Sequence, residues 1–124
     1  MIVPDLNWNG DISVSVTVSD GQLTDSDSFI LTVTPVNDAP VLADIRDVFF
    51  DEDSSAQITL LASDIDQNTL TFSILGGSDI IAVLDGDTVS FSAPENYNGS
   101  ETFNVSVTDG EYTDSQSILV TVNP

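Results

Sequence analysis

The chain contains no cysteine, no histidine and no lysine, and its one basic residue is Arg46. Without cysteine there is no disulfide, no thiolate metal site and no thiol nucleophile. Without histidine or lysine, the usual nucleophile–base pairs, zinc hydrolysis centres and lysine-dependent phosphate chemistry have no parts. A carboxylate pair could still cleave a glycoside, but no acid is visibly set in an apolar stretch, so an enzyme is not expected. No apolar run approaches the ~18 residues needed to span a bilayer. The opening MIVPDLNW has neither a basic region nor an apolar core of the kind a signal peptide carries. Met1 reads as a start residue followed by an internal fragment.

What is abundant is acid. The 124 residues carry 21 acids, 17 of them Asp, and a formal charge of −20. Such a field repels nucleic-acid backbones and anionic membrane surfaces, so neither is an expected partner. It also resists compaction unless counter-ions bind. Asp rather than Glu suits turns and hard-cation ligation, because the short carboxylate stays close to the backbone. A salt-adapted acidic surface is the other reading of the same composition. Hydrophobic content of 40% is enough for a packed core.

The chain repeats itself. Shifted by 89 positions, NWNGDISVSVTVSDGQLTDSDSFILTVTP (7–35) lies over NYNGSETFNVSVTDGEYTDSQSILVTVNP (96–124) without a gap, and 14 of 29 positions are identical. That period is too long for a solenoid and fits one small domain. We therefore divide the chain into the C-terminal part of a preceding repeat (1–35), an inter-repeat joint (36–40) and a complete repeat (41–124), and expect the parent protein to be a tandem array.

Apolar and polar residues alternate in VSVTVS (14–19) and FNVSVT (103–108), the period of half-buried strands. Each is followed across an Asp-Gly turn by a second strand, at 29–33 and 118–122, a hairpin signal. Further strands are expected at 48–50, 57–62, 70–75, 80–84 and 88–92. Seven short strands without a helical pattern point to an all-β, seven-strand Greek-key sandwich of the cadherin or immunoglobulin kind, preceded by the C-terminal hairpin of another repeat. The expected core is Val48, Phe50, Ile58, Leu60, Leu70, Phe72, Ile74, Val89, Phe91, Phe103, Val105, Val107, Leu119, Val120 and Val122. A lone hairpin is marginal in water. Residues 1–35 should therefore either fray or pack on something, strand exchange with a second copy being one option.

Oxygen ligands cluster in PVNDAPVL (35–42), DED (51–53), DID (64–66) and DGD (85–87). DIDQN (64–68) starts like an EF-hand loop but fails as one, with Thr69 where glycine is needed and Leu75 where the closing Glu should be. Two acids at i and i+2, Asp64 and Asp66, repel each other unless a cation intervenes. Asp20, Asp85, Asp87 and Asp114 read as turn or solvated surface. Trp8 and Tyr97, before matching Asn-Gly pairs, read as plugs of the sandwich end rather than sugar-stacking platforms.

The succession VNDAPV, DEDSS, LASDIDQNTLTFSI, APENYNG, VSVTDG and a final VTV resembles the bacterial cadherin-like tandem repeats of large secreted and surface proteins, including adhesins of the repeats-in-toxin type. The resemblance implies calcium between successive repeats. The implied ligands are Asn37 and Asp38 in the joint, Asp64 and Asp66, Asp109 from a late strand end, and Asp5 from the preceding repeat. Glu52 and Glu95 would serve the next joint downstream. The joint reads Asn-Asp-Ala here where the family has Asn-Asp-Asn, and Ala-Pro-Glu stands for Asp-Arg-Glu, so one or two ions are expected rather than three. The function implied is a calcium-stiffened structural or adhesive repeat outside the cell or on its surface, with neighbouring repeats as partners. A module that binds a cell-surface polysaccharide, or another copy of itself, is the alternative.

Overall fold

A computed structural model describes all residues, Met1–Pro124. The backbone divides into two units, Met1–Asn37 and Asp38–Pro124.

The first unit is a two-stranded antiparallel hairpin, β1 (Gly10–Ser19) and β2 (Thr24–Val33), in register from Gly10 opposite Val33 to Ser19 opposite Thr24. The Asp-Gly turn closes it. The Asp20 carboxylate accepts the N–H groups of Gln22 (2.9 Å) and Leu23 (2.8 Å), and these bonds, Leu23 foremost, hold its carboxyl below the ordinary range.

The second unit is all β. Its strands are β3 (Val41–Leu42), β4 (Val48–Asp51), β5 (Ser55–Thr59), β6 (Ala62–Ser63), β7 (Thr71–Gly76), β8 (Ile81–Asp85), β9 (Thr88–Ser92), β10 (Gly99–Thr108) and β11 (Thr113–Asn123). Seven of them form two sheets, ordered β4-β11-β10-β7 and β5-β9-β8, and the two-residue strands β3 and β6 pair with each other. The β4–β11 pairing is parallel, the others antiparallel. This is the expected seven-strand sandwich.

The core comes from the inward alternation of both sheets. Phe103, Val105 and Val107 of β10 and Ile118, Val120 and Val122 of β11 face Val89 and Phe91 of β9. Phe91 and Phe103 meet edge to face across the layers, ring centroids 5.4 Å apart. Two expectations need correction. Leu119 is not core: Ile118, Val120 and Val122 share the inward face, and period two turns Leu119 to solvent. The strand expected at 57–62 is not continuous either. It leaves β9 at Leu60, whose N–H donates to Asp87 O at 2.7 Å, and re-pairs with β3 as β6. Ile58, Leu70, Phe72 and Ile74 are partly buried at the margin of the core.

Between β7 and β8 the chain turns at Gly76 and Gly77, both at positive φ. Glu101 of β10 secures the turn by accepting the N–H groups of Ser78 (2.8 Å), Asp79 (3.1 Å) and Ile80 (3.0 Å). Burial pushes this carboxyl up, but the three N–H groups outweigh it and hold it below the ordinary 4.5. Because the folded value is depressed, the stabilisation is present above 4.5 and is lost as pH falls through the folded value. Glu101→Gln should therefore lower neutral-pH stability by about 1–2 kcal/mol and flatten the acid limb of the stability profile. Urea titrations of the two proteins on both sides of pH 4.5 would check this, and parallel acid limbs would refute it.

Candidate functional site

The loop between β6 and β7 starts at Asp64 and winds around that side chain. Asp64 Oδ1 accepts the N–H of Asp66 (2.8 Å) and, at 3.5 Å, that of Asn68, while its carbonyl accepts the N–H of Gln67 (3.2 Å). Gln67 takes φ of 60° to close the turn. This winding turns the other oxygen, Oδ2, inward. It is sealed from solvent and has no hydrogen-bond partner, and it is the one buried side-chain polar atom of the chain in that condition. An unmatched buried oxygen costs about 1–3 kcal/mol, more when charged. A bound cation would remove this cost. The donor set is all oxygen, as a hard divalent cation requires.

Asp66 continues the cluster. Its Oδ2 accepts the N–H of Asp38 at 2.7 Å, tying the segment that leads into β3 to the 64–68 loop. Asp38, Asp64 and Asp66 are thus brought together. Asp109 lies at the same end of the sandwich, since Thr108 pairs with Thr71, where the Asp64 loop enters β7. Its Oδ1 accepts the N–H groups of Glu111 and Tyr112, both at 2.7 Å, so that oxygen is held by the turn just as in its counterpart Asp20. The carboxylates alone do not complete a cage: no three acids stand close enough to hold an ion unaided.

The other expected ligands lie elsewhere. Asp5 and Asn37 belong to the first unit, where Asp5 is exposed and its carbonyl accepts the N–H of Trp8. Glu52 and Glu95 sit at the far end of the second unit. Glu52 N–H donates to Asn123 O at 2.8 Å, and Asp53 Oδ1 accepts the N–H of Asn96 at 2.9 Å. Ten residues of β10 separate this end from Asp109, a distance of about 30 Å. The far end therefore carries its own acidic set.

Several acids with structural roles give little sign of them in the sequence. Asp114 is not surface or turn: it is half-buried in β11 and accepts the N–H of Leu42 at 2.8 Å. Gln116 clamps the same segment, accepting from Ile45 and donating to Leu42 O and Ala43 O, and Asp47 accepts the N–H of Leu119. Asp53, at φ 60°, pins the 94–97 turn. Only Asp53 has a local signal, the DED run. Tyr97 packs against the core; burial, with Glu101 and Asp79 nearby, raises its phenol above 10.0.

Comparison with known proteins settles the family. The bacterial Ig domain profile matches residues 37–122. The chain belongs to the bacterial Ig domain family. No curated protein matches its sequence. Among solved structures, this Ig-like chain is similar to human protocadherin-24 EC1-2, with 26% identity and a TM-score of 0.52, covering 71% of this chain and 44% of that one. It is similar to the titin domains z1z2 solved with telethonin (17% identity, TM-score 0.52, 93% and 61% covered). It also resembles part of an endo-fucoidan hydrolase of glycoside hydrolase family 107 (17% identity, TM-score 0.51), covering 92% of this chain and only 19% of that one. The Ig-like sandwich, with cadherin domains among its structural relatives, is the fold the residue pattern implied.

Proposed function

We propose that this Ig-like chain is a calcium-binding structural repeat of a large extracellular or cell-surface protein, of the repeats-in-toxin adhesin type. A structural or adhesive module follows from the family; such folds are typically non-enzymatic. The calcium reading is carried by one observation, the partnerless Asp64 Oδ2 inside the 64–68 loop. The charge of −20 supports it, since the fold gains from any bound cation. Asp64 and Asp66 would supply the carboxylates, with Asp38 and Asp109 at the same end of the sandwich, and since no three of these acids converge, further oxygens would have to complete the ion's coordination. The ion would neutralise facing carboxylates and fix the segment entering β3, limiting the freedom of whatever precedes it. Glu52, Asp53 and Glu95 would supply the far end in the same way for a following repeat.

Extracellular calcium modules have dissociation constants of about 10⁻⁴ to 10⁻³ M. At ten times that concentration of free ion, one site adds roughly 1.4 kcal/mol to stability. Calorimetric titration of Asp64→Asn/Asp66→Asn should show calcium affinity at least ~10-fold below wild type, with the far-UV spectrum unchanged. Unchanged affinity would remove these two residues from the site.

A further inference from the structure

The two flanks of the sandwich in the second unit are finished differently. On one flank the 43–47 segment straps the gap between the edge strands β4 and β5. Ile45 of this strap packs on the core. Gln116 holds the strap through Ile45 N–H, Leu42 O and Ala43 O, and Asp47 anchors it by accepting the N–H of Leu119. On the other flank stand β7 and β8, each the last strand of its sheet, so one backbone edge of each has no partner strand. The depression between them, about 500 Å³, is lined only by β7, β8 and the residues beside them: Leu70, Thr71, Phe72, Leu84, Gly86 and Asp87.

This seam leaves the margin of the core unfinished. Phe72 and Ile74 of β7 and Ala82 and Leu84 of β8 face inward yet stay only half-buried, while the inward residues of β9 and the middle of β10 and β11 are wholly buried. The 76–80 turn, with buried Ile80, closes one end of the seam. Neither strand has the lysine, proline or bulge that blunts an edge: their sequences are TFSILG and IAVLD, and both registers run one to one. An open edge beside an apolar groove is suited to strand addition.

Charge selects the occupant. β7 carries no charged residue, but exposed acids stand at both ends of the seam, Asp79 at one and Asp85 and Asp87 at the other. The one base, Arg46, lines the opposite flank. A second copy of this chain, at −20, would bring carboxylates to carboxylates. A segment with basic ends would bring opposite charge to both. We propose that the β7/β8 seam is the docking site for an extended segment of a different protein, apolar at alternate positions and basic at its two ends. The segment adds as a strand along the edge of β7 and lays its apolar side chains over Phe72 and Leu84. This surface is separate from the Asp64 loop and needs no ion there.

The test titrates the full chain calorimetrically with the synthetic peptide KTVTVTVTK. It should bind at least ~10-fold more tightly than ETVTVTVTE, and Asp85→Asn/Asp87→Asn should weaken it by about the same factor. Both acids are exposed, so the variant should keep the fold, which its far-UV spectrum would check. KTVTPTVTK keeps the charges but cannot complete a strand, and should not bind. Amide exchange should slow along Thr71–Gly76 when KTVTVTVTK is bound. No binding of KTVTVTVTK would overturn the proposal, as would equal binding of the proline peptide, which would mean charge attraction alone. Exchange protection that appears outside β7 and β8 would also overturn it. So would protection of this edge in the chain by itself, growing with concentration, which would give the seam to a second copy.

Discussion

Phe103→Ala is expected to cost about 4 kcal/mol, the largest effect of any single truncation in the second unit. Phe103 is fully buried on β10, and its ring meets Phe91 of the opposite sheet edge to face. Losing a buried Phe removes about 3–5 kcal/mol of transfer and packing energy, and an aromatic pair adds about 0.5–1.5 kcal/mol beyond burial. The cavity would open between the layers, where both sheets are tied by register and cannot close in. Against a domain stability of about 5–15 kcal/mol, this brings the fold close to its limit. Urea unfolding should show the midpoint falling with an unchanged slope. A loss under about 1 kcal/mol would mean that the two sheets do not depend on this contact.

Gly77→Ala should cost about 3 kcal/mol, and the reason is space as well as backbone angle. Gly77 has φ of 77°, which already disfavours a side chain. A Cβ there would run into the Ile80 carbonyl and lie 2.6 Å from Phe103 Cζ. Neither can move: Ile80 is held through its N–H by Glu101, and Phe103 is locked in the core. Gly86 offers the control. Its φ is also positive, at 64°, but nothing lies within 4 Å of its added Cβ. Gly86→Ala should cost only about 1 kcal/mol. Equal losses for the two variants in thermal or urea unfolding would show that backbone angle alone matters at this turn.

The strands are legible because their residues alternate, and the hairpins because Asp-Gly joins them at both copies of the repeat. Alternation cannot say which of two adjacent apolar residues faces inward, so it does not separate Leu119 from Ile118. Nor can it show a change of partner strand, as at Leu60, where the inward rhythm continues while the hydrogen bonds move from β9 to β3. At the candidate site, the i, i+2 acids Asp64 and Asp66 are visible because their repulsion is local. That one oxygen of Asp64 is sealed without a partner is not visible, since it depends on the path of the whole 64–68 loop. Asp114, Glu101 and Asp47 bond to backbone more than twenty residues away. No window of sequence distinguishes such acids from solvated ones.

The proposed function rests on a cation at Asp64, and thermal unfolding tests it most directly. Melts of the chain and of Asp64→Asn would be recorded in millimolar calcium and in chelator, with magnesium and sodium controls at matched ionic strength. Calcium should raise the wild-type melting temperature by about 5–10 °C, well beyond magnesium or sodium, and Asp64→Asn should lose most of that rise. An equal rise with every salt would contradict the cation site: the acids would then be a screened surface and the buried oxygen no ion ligand.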